Sequence, residues 1–334
     1  MKCSKSKELL RDFNDNVPCR VKTSGHVVQI MQTQHMPNES SPIERIDKDT
    51  YLVKRTGEVK QINHQEKRTD NIQTVKNSLE AIRDIINCNV TESEKWLWVT
   101  LTYAENMQDY KRLYPDLQKL IQKLRYHYGD MEYILVPEPQ KRGAWHAHVL
   151  LGFPDKAPYI ANDIMRSFWG QGFVRVQAVR GDCDNFGAYL SAYLGDLAID
   201  EDELVPYGSK VTEKEVTEMN GKKKSKRVIK GGRLALYPAG MRMYRCSRGI
   251  KKPVIERMSS KDAKEKVKGH TPTFTGSVML SDDESGFQDC IIYAYYNLNR
   301  KEKYTPEDNE IFALLESLYL SAHPRISSDG ELPF

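Results

Sequence analysis

EYILVPEPQKRGAWHAHVLLGF, Glu132 to Phe153, is the stretch that decides the fold. Two runs rich in aliphatic and aromatic residues, Glu132 to Glu138 and Trp145 to Phe153, flank PQKRGA, whose Gly143 supplies a turn. The spacing predicts a β-hairpin. In a strand, residues i and i+2 project from one face, so His146 and His148 point one way and Ala147 the other. Glu138 ends the preceding strand, and a tight hairpin brings its carboxylate to the same patch. Two imidazole nitrogens and one carboxylate oxygen leave coordination positions open for water or phosphate oxygens. That donor set suits Mn²⁺ or Mg²⁺ better than a closed structural zinc site does. A lone histidine pair at this spacing also arises by chance in a core or on a surface, and Glu138 is what separates the two readings.

Outward from the hairpin, Trp96 to Tyr103 (WLWVTLTY) reads as a strand. Pro115 opens a helix whose Leu117, Leu120, Ile121, Leu124 and Tyr128 share one face. After the hairpin come a helix near Ile160 to Phe168, a strand at Phe173 to Val179 and a helix over Asn185 to Leu194 that Asp184 can cap. The order βαββαβα predicts an α+β fold, an antiparallel sheet with helices on one face and the other face open. Upstream, His26 to Met31 and Thr50 to Lys54 read as short β pieces. Val75, Leu79, Ile82 and Ile86 recur at helical spacing between Thr74 and Ile86. The chain divides into an accessory region over 1–93, a central domain over 94–204, a basic segment over 205–252 that can continue that domain, and a second accessory region over 253–334.

The chain has 334 residues, 39% hydrophobic and 29% charged, a soluble globular composition with room for about two domains. Its longest apolar run, Cys290 to Tyr296, is too short to cross a bilayer, and MKCSKSKELL lacks the apolar core of a secretory signal. A cytoplasmic location is expected. Six cysteines (Cys3, Cys19, Cys88, Cys183, Cys246 and Cys290) form no CxxC pair and read as reduced thiols. Net charge is only +4, but it is segregated: Ser209 to Lys252 carries 14 basic against 3 acidic residues, and Ser277 to Phe334 carries 4 against 11. Clustered Lys and Arg attract phosphates without regard to base sequence. GKKKSKR, which holds Lys222, Lys223 and Lys224, is equally readable as a solvated linker. The following stretch interleaves Arg242, Arg245 and Arg248 with tyrosines and apolar residues, which suits a surface gripping a nucleic-acid backbone.

GAYLSAYLGD places Tyr189 and Tyr193 four apart, on one face of the last helix. Either can be a core aromatic. Beside a divalent cation, a phenolate is also a competent nucleophile toward phosphorus. No GxxxxGK[ST] loop is present, so an ATP-driven helicase domain is not expected.

The set TLTY at Thr100 to Tyr103, ExQxRGxxHxH from Glu138 to His148, and the tyrosines Tyr189 and Tyr193 resembles, in order, the three motifs of rolling-circle replication initiators of the HUH endonuclease superfamily. The resemblance covers roughly residues 94 to 200. It implies an HUH-type, ferredoxin-like sheet, with Glu138, His146 and His148 as metal ligands and Tyr189 as the nucleophile that becomes linked to a 5′-phosphate. Thr100, Thr102 and Arg142 fall in the first two motifs and are assigned to DNA contact. Single-tyrosine members usually carry a Lys three or four residues after the tyrosine. Here those positions are Ala192 and Tyr193, so the chain looks like a two-tyrosine member. The implied partners are single-stranded or hairpin origin DNA with a host helicase and polymerase. Relaxases, which place the tyrosine ahead of the histidines, fit less well. A transposase and a non-catalytic nucleic-acid-binding module are the rival readings.

Overall fold

The computed structural model describes residues 2–34, 43–54, 56–62, 72–179, 197–199, 211–217, 223–229, 232–238, 240–282 and 286–299. The first strands are β1 (Lys2–Ser6), β2 (Cys19–Ser24), β3 (Val27–Thr33), β4 (Ile43–Arg45), β5 (Thr50–Val53) and β6 (Glu58–Gln61). Helix α1 (Ile72–Asn89) leads into β7 (Trp96–Leu101), α2 (Leu113–Tyr128), β8 (Glu132–Pro139), β9 (Trp145–Gly152), α3 (Asn162–Trp169) and β10 (Val174–Ala178). There follow β11 (Leu197–Ile199), β12 (Val211–Thr217), β13 (Lys223–Ile229), β14 (Arg245–Cys246), β15 (Val254–Met258), α4 (Ser260–Lys266), β16 (Phe274–Asp282) and β17 (Phe287–Asn297). The fold is mixed α and β with antiparallel sheets. Among the described residues no helix is long and apolar enough to cross a membrane, and Cys19, Cys88, Cys246 and Cys290 are free thiols.

The central sheet has the order β10-β7-β9-β8-β14, each neighbouring pair antiparallel. Strand β9 therefore lies between β7 and β8, in the middle. Hydrophobic alternation explains one face: Leu97, Val99 and Leu101 of β7 and Ala147, Val149 and Leu151 of β9 are all buried. They share one core with Leu117, Leu120, Ile121 and Leu124 of α2 and with Met165 of α3. Each fully buried side chain of this kind contributes about 1.5–3 kcal/mol. Pro115 sits in the first turn of α2, where a missing N–H costs nothing, and Gly129 stops the helix with φ 82°. The opposite face was expected to be open, and it is not. Ile134, Val136, His148 and Leu150 on that face are buried as well. The ring of Trp96 lies over Gly152, where a Cβ would come within 2.5 Å of it.

The two ends of the chain share a second sheet, ordered β1-β16-β17-β3-β2-β15. Its core of Cys19, Val21, Val28 and Ile30 is closed by Ala263 and Val267 from α4 and its end. Helix α1 joins the two sheets. Its Val75, Leu79, Ile82, Ile85 and Ile86 belong to the core of the central sheet. On the other side Lys22 of β2 pairs with Asp84 at 2.7 Å and with Glu80. Asn89 at the end of α1 exchanges two hydrogen bonds with the backbone of Lys251, each 2.9 Å. Two three-stranded sheets complete the description, β4-β5-β6 and β11-β13-β12.

Candidate active site

The site begins with the turn between β8 and β9. Gly143 takes φ 84°, a left-handed conformation that glycine adopts without Cβ strain, and its N–H donates to Gln140 O at 2.9 Å. The turn closes where Gln140 N–H donates to Ala144 O at 2.8 Å. That closure sets the register in which Glu138 stands directly opposite His146 and Val136 opposite His148. Across the other ladder His148 faces Thr100 of β7.

Glu138, His146 and His148 are brought together. His148 Nε2 lies 2.7 Å from Glu138 Oε2, and His146 Nδ1 lies 4.0 Å from the same oxygen. On the far side of the His148 ring, Nδ1 has Trp98 Nε1 and Thr100 Oγ1 each at 3.3 Å. Burial pulls the pKa of both histidines down to about 4. His146 is lowered further by His148 and by the positive charge of Arg142. The carboxylate of Glu138 acts the opposite way on His148, but it is itself matched by a guanidinium. Both rings are therefore neutral at pH 7, with lone pairs to offer a metal.

Arg233 supplies that guanidinium. It comes from the short 3₁₀ turn over Gly232–Leu236, its side chain is 11% exposed, and it binds Glu138 Oε1. The following Tyr237 is buried and donates its hydroxyl to Pro137 O at 2.8 Å, fastening this segment over the end of β8. His148 is 2% exposed and Glu138 4%, whereas His146 is 22% exposed, so the patch opens on the His146 side. Neither Arg233 nor Trp98 stands out in the sequence. Arg233 is one charge among many in the basic segment, and Trp98 is one strand former among several.

The donors fit a hard divalent ion in kind: two neutral imidazoles and one ionisable carboxylate. Neighbouring ligands bonded at about 2.1 Å and at right angles lie about 3 Å apart, close to the 2.7 and 4.0 Å spacings around Glu138 Oε2. As they stand, no three His, Cys, Asp or Glu side chains among the described residues are spread around a common centre that could hold an ion. A small opening of the His148–Glu138 hydrogen bond separates the two arrangements.

The remaining sequence candidates fall elsewhere. Thr102 donates its hydroxyl to Phe173 O at 3.0 Å, tying the end of β7 to the approach of β10. Arg142 is exposed in the β8–β9 turn. Arg245 of β14 places its Cζ 3.4 Å from the centroid of the Tyr114 ring on α2, a cation–π contact that docks the edge of the sheet onto that helix. Arg242 and Arg248 are exposed. Lys223 and Lys224 lie in β13, paired in register with Thr217 and Val216 of β12. The linker reading of that stretch fails from Lys223 onward, because it is a strand. Lys222, Tyr189, Tyr193 and the helix expected over Asn185 to Leu194 lie outside the described residues.

With this geometry in place, the comparison with known families is specific. Residues 96–197 match the model of the replication-associated protein ORF2 family. The matched span runs from the start of β7 into β11 and contains Glu138, His146, His148, Tyr189 and Tyr193. No curated protein matches the chain. The central unit is thus similar to replication-associated proteins, and the sheet formed by the two chain ends lies outside the match.

Proposed function

We propose that the protein is a replication initiator that nicks and rejoins single-stranded origin DNA through a 5′-phosphotyrosine intermediate, as in rolling-circle replication of a plasmid, phage or integrative element. The observation that carries this reading is the meeting of Glu138, His146 and His148 at the end of one hairpin, inside the segment that matches replication-associated proteins. The sheet order supports it. Counted within the β7–α2–β8–β9–α3–β10 unit the strands run fourth, first, third, second, the split βαββαβ arrangement of ferredoxin-like and HUH-type domains.

Glu138 Oε2 and one ring nitrogen each of His146 and His148 would hold Mn²⁺ or Mg²⁺. Bound there, the ion draws charge from the non-bridging oxygens of a phosphodiester and lowers the barrier to attack. Tyr189 supplies the phenolic oxygen. Its bond to phosphorus forms as the bond from phosphorus to the 3′ oxygen breaks; the phenolic proton leaves to solvent, and the 3′ oxygen takes up a proton to become the hydroxyl that primes synthesis. Tyr193 is the second phenol, which attacks the regenerated origin so that the first strand is released and rejoined. Arg142, Arg242, Arg248 and Lys222 to Lys224 supply sequence-independent hold on the strand. Unwinding and extension fall to a host helicase and polymerase.

The test uses 3′-labelled single-stranded oligonucleotides tiling the DNA beside the gene, incubated with the protein and Mn²⁺. The expected result is a covalent protein–DNA band that Tyr189→Phe abolishes. No cleavage of any tile, or an undiminished band in Tyr189→Phe, refutes the assignment.

A further inference from the structure

The Glu138 carboxylate is divided between two partners: Arg233 binds Oε1, and Oε2 faces His148 at 2.7 Å and His146 at 4.0 Å. Arg233 reaches it from a segment about a hundred residues further along the chain, with Tyr237 pinning that segment to Pro137 O. A planar guanidinium holds an oxygen directionally, and burial strengthens the contact because water does not compete for it. We infer that Arg233 is a positioning residue that restricts Glu138 to one-oxygen coordination and thereby selects the ion; this rests on the metal-dependent reading above.

The consequence follows from what each ion asks of a carboxylate. Mg²⁺ and Mn²⁺ sit in compact octahedral sites that a single oxygen satisfies, whereas Ca²⁺ takes six to eight oxygens at longer distance and gains from bidentate carboxylates. With Oε1 engaged by Arg233, the second oxygen that Ca²⁺ would use is withheld. Loss of the guanidinium also removes a positive charge, and this strengthens binding of every divalent ion. The charge effect is the same for Mn²⁺ and Ca²⁺, so the ratio of their dissociation constants isolates the effect of coordination.

The experiment titrates the full-length wild type, Arg233→Gln and Arg233→Lys with Mn²⁺, following free Mn²⁺ by electron paramagnetic resonance, and then with Ca²⁺ as competitor. Wild type is expected to favour Mn²⁺. Arg233→Gln should lower the Ca²⁺-to-Mn²⁺ ratio of dissociation constants at least tenfold, and Arg233→Lys, which still offers a cation to one oxygen, should lower it less. A ratio in Arg233→Gln within twofold of wild type overturns the inference while leaving the metal site standing. Absence of Mn²⁺ binding by the wild type overturns the metal-dependent reading and this inference with it. Should Arg233→Gln fail to fold, a crystal structure of the wild type with Mn²⁺ decides: Glu138 bound through one oxygen with Arg233 on the other supports the inference, and binding through both oxygens overturns it.

Discussion

Replacing Lys22 by Met tests whether helix α1 locks the terminal sheet to the central one. Lys22 Nζ is 2.7 Å from Asp84 Oδ2, with the two side chains 7% and 6% exposed, so the pair is out of water. Removing one partner of a buried pair typically costs about 3–5 kcal/mol, because the other charge stays buried and uncompensated. Asp84 retains a second cation, Arg83 Nε at 3.7 Å from Oδ1, which places the expected loss near the lower bound, about 3 kcal/mol. Glu80, the other partner of Lys22, is 38% exposed and water screens it, so it adds little. Lys22→Met with Asp84→Leu removes both charges and should recover most of the loss, leaving a coupling of about 2 kcal/mol or more. The measurement is urea unfolding of the wild type, both single variants and the double variant. A loss below about 1 kcal/mol in Lys22→Met, or additive single effects, would refute the argument.

The same network has a pH signature. Burial works to raise the Glu80 pKa, but Lys22 and Arg83 outweigh it and the net shift is downward. A carboxyl lowered in the folded state stabilises the fold above its unfolded pKa, about 4.3, and that contribution fades as pH falls through the lower folded value. Acid should therefore destabilise wild type more than Lys22→Met. Three further outcomes concern the proposed activity. His148→Ala should lower nicking about 100-fold or more while DNA binding in a filter assay changes less than about threefold, since phosphate attraction does not need the ion; nicking that persists with chelator present contradicts this. Tyr193→Phe should keep the first nick and fail in strand rejoining, so full rejoining by that variant makes Tyr193 a packing residue. Changing Lys222, Lys223 and Lys224 to Gln should flatten the dependence of log K on log salt by about 2, at about 0.7 per phosphate contact on a single strand; an unchanged slope removes them from the interface.

What the sequence made legible was local. The hairpin, its glycine turn and helix α2 follow from alternation and helical spacing within about 20 residues, and the structure places β8, β9 and α2 within one or two residues of those expectations. What it concealed was long-range. β1 pairs with β16 in the register Lys2↔Ser281, and nothing in either strand's own pattern names its partner. The sequence leaves the site face bare because the segment that covers Glu138 belongs to a basic stretch with no helical or strand period of its own. Arg233 there looks like one more surface charge.

The position of β9 also decides which neighbour lets His148 act as a ligand. The ring is bracketed from both adjacent strands, Glu138 at Nε2 and Trp98 with Thr100 at Nδ1. An indole N–H only donates, so with Trp98 donating to Nδ1 the hydrogen-bond pattern assigns the ring proton to Nε2, which donates it to Glu138 Oε2. To give the Nε2 lone pair to an ion, His148 must carry its proton on Nδ1, and there it needs an acceptor. Of Trp98 and Thr100, only the hydroxyl can accept. Thr100, not Trp98, is then the partner that fixes the ligating tautomer, the role that outer-shell groups play at metal-bound histidines. Thr100→Val preserves shape and removes the acceptor, so Mn²⁺ affinity should fall about 10- to 100-fold. Thr100→Ser should restore it, and Trp98→Phe should leave it unchanged or raise it by freeing Nδ1 from a competing donor. Wild-type affinity in Thr100→Val, measured by the same Mn²⁺ titration, would mean that Nε2 is not the ligating nitrogen.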